Sequence, residues 1–167
     1  MGDYSISKYQ PELYDETGCY HRNEWTSFGD IGKIFYNGEL SIDEYMKVEQ
    51  RYIDVAITLA RLSGCTYLTI SKLEGREDIV DFVNGNPYNI QLTATAQKIK
   101  QGLKIQISDC ADYLRICIRE CCWAIFDNHR HYFSLDFGYD FYMHIHTDLT
   151  ESQVEEIVSA NNLYLRP

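Results

Sequence analysis

The chain has 167 residues, 45% of them hydrophobic and 14% aromatic, which suits one domain with a sizeable core. Its net charge of −10 argues against a nucleic-acid or anionic-membrane binder, which needs a basic stripe, and permits a basic protein partner, while solubility alone accounts for the charge equally well. No stretch approaches the roughly 18 apolar residues of a membrane span. The segment Met1 to Tyr9 is polar, with no signal-peptide core. Four of the six cysteines fall in one predicted helix, where they read as small reduced hydrophobes. A cytoplasmic protein is expected.

Tyr4 to Tyr9 alternates as a first short strand. Pro11 to Asn23 reads as an acidic loop around Gly18, carrying Glu12, Asp15 and Glu16, with Glu24 just beyond. Ser27 to Tyr36 is predicted as a short helix that stops before an Asn37-Gly38 turn. Ser41 opens a long helix, and Glu44 three residues on makes a capping box with it. Ile42, Tyr45, Met46, Tyr52, Ile53, Ala56, Leu59 and Ala60 form the apolar stripe of that helix. Glu49, Arg51, Asp54 and Arg61 are expected outside, and Gly64 supplies the left-handed stop.

Thr66 to Ser71 is β-branched and aromatic, hence a strand. Leu73 to Asp78 reads as a charged loop with Glu74, Glu77 and Asp78. Ile79 to Val83 fits helix or strand, and Asn84 to Tyr88 is a turn. Ile90 to Thr95 is predicted as a strand and Ala96 to Lys100 as a short helix. Leu103, Ile105 and Ile107 then alternate.

Ser108 to His146 is the stretch that organises the rest. Ser108 and Asp109 are N-cap types. Leu114, Cys117, Ile118, Cys121, Cys122 and Ile125 follow at helical spacing, widened by Trp123 and Phe126, with Arg115, Arg119 and Glu120 on the wet side. Asp127, Asn128 and His129 end this long helix. The period then switches to two. Tyr132, Ser134 and Asp136 share one side and Phe133, Leu135 and Phe137 the other; after Gly138 the pattern resumes to His146. At the C-terminus, Thr150 and Gln153 make a capping box, Val154, Ile157 and Val158 face inward, and Leu163 to Leu165 forms an edge strand. The fold class is α+β: an antiparallel sheet packed against several α-helices, in a single domain over residues 1–167.

Chemistry-bearing groups are sparse. His144 and His146 share a strand face, and with His129, His131 and nearby cysteines they suggest a zinc site; no Cys-x-x-Cys pair supports it. As a general base, His144 or His146 would need Asp136 or Asp140 to orient it, giving a small metal- or His-dependent hydrolase. Cys19 and His21 make a weaker nucleophile–base pair. No phosphate loop or dinucleotide fingerprint is present, so no cofactor is expected. Asp136 and Asp140, set among Tyr132, Tyr139 and Tyr142, suit Arg and Lys side chains of a protein partner.

Several motifs resemble one family. Glu24-Trp25-Thr26-Ser27 followed by Asp30-Ile31-Gly32-Lys33 resembles the opening of small bacterial immunity proteins of contact-dependent and polymorphic toxin systems. Glu44-Tyr45 with Val48-Glu49 resembles their next helix. Leu114-Arg115, Arg119-Glu120 and Trp123 resemble a later helix, and Phe137-Gly138-Tyr139-Asp140-Phe141-Tyr142-Met143 an aromatic strand. The resemblance implies a non-enzymatic antitoxin that binds the C-terminal domain of a cognate toxin, often a nuclease. It carries over no catalytic or contact residue. The acidic balance then points to a basic RNase as partner, with Glu12, Asp15, Glu16, Glu74, Glu77, Asp78, Asp136 and Asp140 as the expected contact carboxylates. A plain regulatory interaction module would share these features.

Overall fold

Alternation in seven segments builds the central sheet. In the computed structural model, which describes residues 2–166, β1 spans Gly2–Ser7, β4 Tyr67–Gly75, β5 Lys104–Gln106, β6 Cys122–Asn128, β7 Phe133–Phe137, β8 Met143–Thr147 and β9 Tyr164–Leu165. Residues 1 and 167 of the expected domain lie outside the described residues. The strand order is β5-β4-β6-β7-β8-β1-β9, every neighbouring pair antiparallel. A separate ribbon pairs β2 (Ile34–Phe35) with β3 (Gly38–Glu39). Five helices complete the chain: α1 Ile42–Leu62, α2 Ile79–Asn84, α3 Thr93–Lys98, α4 Ala111–Ile118 and α5 Glu151–Ala160. No helix among the described residues is long and apolar enough to cross a membrane.

One sheet face is the core. Ile6, Leu68, Ile70, Ala124, Phe126, Phe133, Leu135, Met143 and Ile145 are buried and join Tyr52, Ile53, Ala56 and Leu59 of α1, Leu114 and Ile118 of α4, and Val154 and Val158 of α5 in one cluster. At about 25 cal/mol per Å² of apolar area, this burial is the main folding term. The other face carries Asp3, Ser5, Thr69, Trp123, Ile125, Ser134, Asp136, His144 and His146, all half-buried or exposed.

The α+β class, the pairing of β7 with β8, the Thr150–Gln153 capping box with both bonds made, and the β9 edge strand match expectation, but Tyr139–Phe141, expected as strand, is a 3-10 turn and β8 begins only at Met143. Other expectations change. The long helix from Ser108 is instead α4 plus strand β6, because seven residues from Cys122 to Asn128 join β4 and β7. Only Cys117 of the four cysteines therefore lies inside α4. Ser27 to Tyr36 holds a 3-10 turn at Phe28–Asp30 and then the β2–β3 ribbon. Leu73 to Gly75 is not loop but the end of β4. Pro87–Leu92 is 3-10 and Thr93 enters α3, so no strand forms at Ile90 to Thr95. Ser41 accepts from the Glu44 N–H, but the Glu44 carboxylate accepts from Asn37 rather than closing the box.

A last change concerns charge. Glu49 and Arg119, both expected on wet faces, are 1% and 3% exposed. Arg119 Nε and Nη2 donate to the two Glu49 carboxylate oxygens at 2.7 and 2.8 Å, a bidentate pair. Its Nη1 donates to Tyr88 O at 2.7 Å and Asn89 Oδ1 at 3.1 Å. Arg115 Nε donates to Glu49 at 2.9 Å. Removing Arg119 takes the bidentate bonds from buried Glu49, leaving it Arg115 alone, and strips Tyr88 O and Asn89 Oδ1 of this donor. Arg119→Ala is therefore expected to lose about 3–5 kcal/mol in equilibrium urea unfolding, whereas Arg61→Ala on the exposed side of α1 stays within about 0.5 kcal/mol.

Candidate functional site

The sheet splits in its middle. β6 and β7 pair only through Phe126–Leu135, Asp127–Ser134 and Asn128–Phe133. Beyond that, β6 stays on β4 as far as Cys122–Gly75, and β7 stays on β8 as far as Phe137–Met143. The gap between them is a cleft of about 700 Å³. Cys117, Cys121, Phe137 and Phe141 give it apolar walls, and Trp123, Tyr139, His144, Lys72, Glu74, Arg76 and Glu120 supply its polar and aromatic lining.

Two backbone reversals shape this cleft, and both use left-handed residues that are not glycine. α4 ends where Cys121 N–H bonds Ile116 O at 3.1 Å and Glu120 N–H bonds Cys117 O at 2.9 Å. This is the Schellman stop, in which glycine normally takes the left-handed place; here Glu120 does, at φ 59°. Between β7 and β8 the turn closes by Gly138 N–H to Tyr142 O at 2.8 Å, with Asp140 at φ 56° and Phe141 at φ 64°. Each such residue costs roughly 1 kcal/mol or more. Packing holds the turn: the Phe141 ring lies edge-on to Trp25 at 4.9 Å and Tyr52 at 5.0 Å. Tyr9 donates to Asp140 O at 2.7 Å and Tyr52 to Phe141 O at 2.8 Å. The product is a rigid knuckle with Tyr139 at its tip, 90% exposed. The His144 ring lies against Gly138; a Cβ there would meet His144 Cε1 at 2.6 Å, so a larger residue would swing this half-exposed ring aside.

The charges around the cleft are unevenly satisfied. Lys72 pairs with Glu74 at 2.7 Å and lies 5.1 Å from the Trp123 ring centre. Arg76 pairs with Asp78 at 2.9 Å. Among the described residues, the side chains of Glu120 and Asp140 have no hydrogen-bond or ion-pair partner. Partial burial raises the Glu120 pKa, and the carboxylates of Asp30 and Asp140 raise it further. The floor thiols are not poised as nucleophiles. Burial and neighbouring Cys122 push Cys121 up to about 12. The hydrogen bond to Cys122, together with burial, lifts Cys117 well above the usual thiol value.

The expected residues divide among three places. Glu74 lines the cleft, Asp140 forms the knuckle, and Glu77 and Asp78 sit on the link from β4 to α2. Asp136 lies on the open sheet face, where it meets His144 Nδ1 at 3.2 Å, and His146 Nδ1 meets Asp3 at 2.5 Å. Both histidines point to one side as their spacing predicts, but each has its own carboxylate. Glu12, Asp15 and Glu16 occupy the loop after β1, anchored by the Tyr14–Tyr142 hydroxyl bond. Sequence reasoning missed Glu120, Trp123 and the wall cysteines as one site, since a continuous helix would spread them around its axis.

The resembling motifs fall at structural joints. Trp25 packs on Tyr45 and Phe141, Asp30 caps its own turn with Ser27, and Glu49 meets Arg119. Comparison of the chain with protein-family models, curated proteins and solved structures gave no match.

Glu120 supplies a test of this geometry. Its folded-state pKa lies above the ordinary 4.5, so the native state holds that proton more tightly than the unfolded chain. The favourable contribution is complete below pH 4.5 and is lost as pH rises through the raised value. Glu120→Gln is expected to gain thermal stability relative to wild type as pH climbs through that window. Glu120→Gly, which also relieves the left-handed strain, should gain at every pH. Parallel melting curves for the three proteins from pH 4 to 8 would show no divergence if the carboxylate were freely solvated.

Proposed function

We propose that this protein is an immunity protein that binds and neutralises a basic toxin domain, a nuclease of the RNase type, through the cleft and the Tyr139–Asp140 knuckle. The observation that carries this reading is the pair of unpartnered carboxylates, Glu120 and Asp140, each on a strained residue beside an aromatic-walled cleft. Strain and unsatisfied charge lower the stability of the free protein; a cationic side chain from a partner would offset both. A guanidinium seated there would meet carboxylate oxygens and the faces of Trp123 and Tyr139. Tyr139 is the kind of large, stiff, exposed side chain that carries binding energy at interfaces. The remaining acids, among them Glu12, Glu16 and Glu77, add a long-range field that speeds encounter with a basic partner. The raised thiol pKa values and the separately paired histidines fit a surface that binds better than one that makes or breaks bonds.

The test is titration with the toxin domain encoded by the adjacent gene. Binding should be tight, should weaken as salt is raised, and should block the toxin's activity. Tyr139→Ala and Glu120→Gln should each weaken it by roughly 1 kcal/mol or more, fivefold upward, with Tyr139→Ala the larger. Lys98→Ala, distant in sequence on exposed α3, should change nothing. Absence of binding at low salt would end the reading.

A second reading, a small hydrolase using His144 and His146, is favoured by the Asp136–His144 and Asp3–His146 pairs, since a carboxylate orients an imidazole base. In that case the double substitution His144→Ala, His146→Ala abolishes hydrolysis while leaving the fold intact. An immunity protein would show no hydrolysis before either histidine is replaced.

A further inference from the structure

The loop after β1 carries a cluster that the docking reading does not use. Tyr14 and Tyr20 form a bridge, and His21 N–H bonds Leu13 O at 3.0 Å while Asp15 N–H bonds Cys19 O at 3.0 Å. The segment is thus a short antiparallel ribbon, in which successive side chains alternate between faces. Tyr14 and Tyr20 turn one way, their rings 5.0 Å apart and Tyr20 stacked on Tyr9. The opposite face gathers Asp15, Cys19 and His21, all exposed, with their ligand atoms within 4.8 Å of one another.

We propose that Asp15, Cys19 and His21 form a zinc site. One thiolate, one imidazole and one carboxylate are a donor set that suits Zn²⁺ and does not suit the all-oxygen shells of Ca²⁺ or Mg²⁺. With bond lengths of about 2.0 to 2.3 Å, tetrahedral donors stand about 3 to 4 Å apart. Asp15 Oδ2 and His21 Nε2 are now 2.6 Å apart, so both move outward slightly to admit the ion. Side-chain rotation in an exposed ribbon is enough for that.

The carboxylate is already oriented for this role. Asp15 Oδ1 accepts from Thr17 N–H at 2.8 Å, Thr17 Oγ1 at 2.6 Å and Cys19 N–H at 2.9 Å. These bonds occupy one oxygen and turn the other, Oδ2, toward His21. Outer bonds of this kind fix a ligand's direction and raise metal affinity. Zinc takes cysteine as the thiolate, so binding displaces the Cys19 thiol proton and affinity rises with pH. The fourth coordination position stays open for water or a donor from a partner.

The experiment uses the full reduced chain, metal-stripped and dialysed against micromolar Zn²⁺, with Co²⁺ as the spectroscopic stand-in. The expected result is one equivalent of zinc and a thiolate-to-cobalt charge-transfer band. Cys19→Ser abolishes the band, Asp15→Asn and His21→Ala weaken zinc binding strongly, and Thr17→Val weakens it about tenfold or more. All four positions lie on an exposed ribbon, so unchanged far-ultraviolet circular dichroism confirms the fold. Failure to retain zinc overturns the proposal. So does a cobalt band that survives Cys19→Ser, since it would place the metal on the interior cysteines. Toxin binding by the metal-free protein is a separate measurement, unaffected by either outcome.

Discussion

The Glu49–Arg119 pair is the constraint on which the rest of the structure depends. Its side chains are 2% and 0% exposed, where an ion loses its water and survives only with its hydrogen-bonding capacity met. Glu49 sits midway along α1, and Arg119 immediately follows α4. The guanidinium reaches Tyr88 O and Asn89 Oδ1, tying in the turn after α2, and Asn89 Nδ2 in turn reaches the Cys121 sulfur at 3.8 Å. One ion pair thus locates the C-terminal end of α4 against two other segments. The next residue, Glu120, reverses the chain, and β6 begins two residues later. The wall of the cleft is where it is because Arg119 has only one place to go.

This dependence explains what the sequence could and could not disclose. Elements governed by one period were legible: α1 over Ile42–Leu62, the inward and outward sides of β7 and β8, and α5 with its capping box. The segment from Cys117 to Phe126 satisfies two periods at once. Cys117, Cys121, Cys122 and Ile125 fall at helical spacing, whereas Cys122, Ala124 and Phe126 fall at strand spacing and are buried, with Trp123 and Ile125 between them half-buried. No glycine marks the stop at Glu120. Pairing with β4, a contact between residues some fifty positions apart, decides between the periods, and local propensity has no access to it. The buried charge did leave a trace. Glu49 follows Tyr45 by one helical turn and precedes Ile53 by another, so it stands inside the apolar stripe, and a carboxylate in that place implies a buried cation.

The candidate site was legible to the same degree. His144, His146 and Asp136 were placed on one face by a period of two, and the face is open. Glu74 and Asp140 were singled out and lie at the cleft and its knuckle. Glu120 and Trp123 were hidden by the helix assignment. The Asp15 cluster was visible only as Cys19 and His21 two residues apart, because its third member reaches them across a ribbon whose bridge, Tyr14 to Tyr20, is set by tyrosine packing.

Strain and charge coincide at Glu120 and Asp140, and that coincidence bears on function more than either does alone. A left-handed reversal by itself favours glycine, then asparagine or aspartate, so the strain is greater at Glu120 and Phe141 than at Asp140. A solvent-facing carboxylate by itself could stand on any exposed position. Placing a glutamate and an aspartate at such positions, close enough for Asp140 to raise the pKa of Glu120, lowers stability twice over. The core absorbs that cost through Phe141, whose ring is enclosed by Trp25, Tyr45 and Tyr52 and whose carbonyl is held by the Tyr52 hydroxyl. A protein that needed only to fold would gain from relaxing both turns. One that must offer negative charge to a cation gains from keeping them, because the backbone that carries each carboxylate is already ordered when the partner arrives.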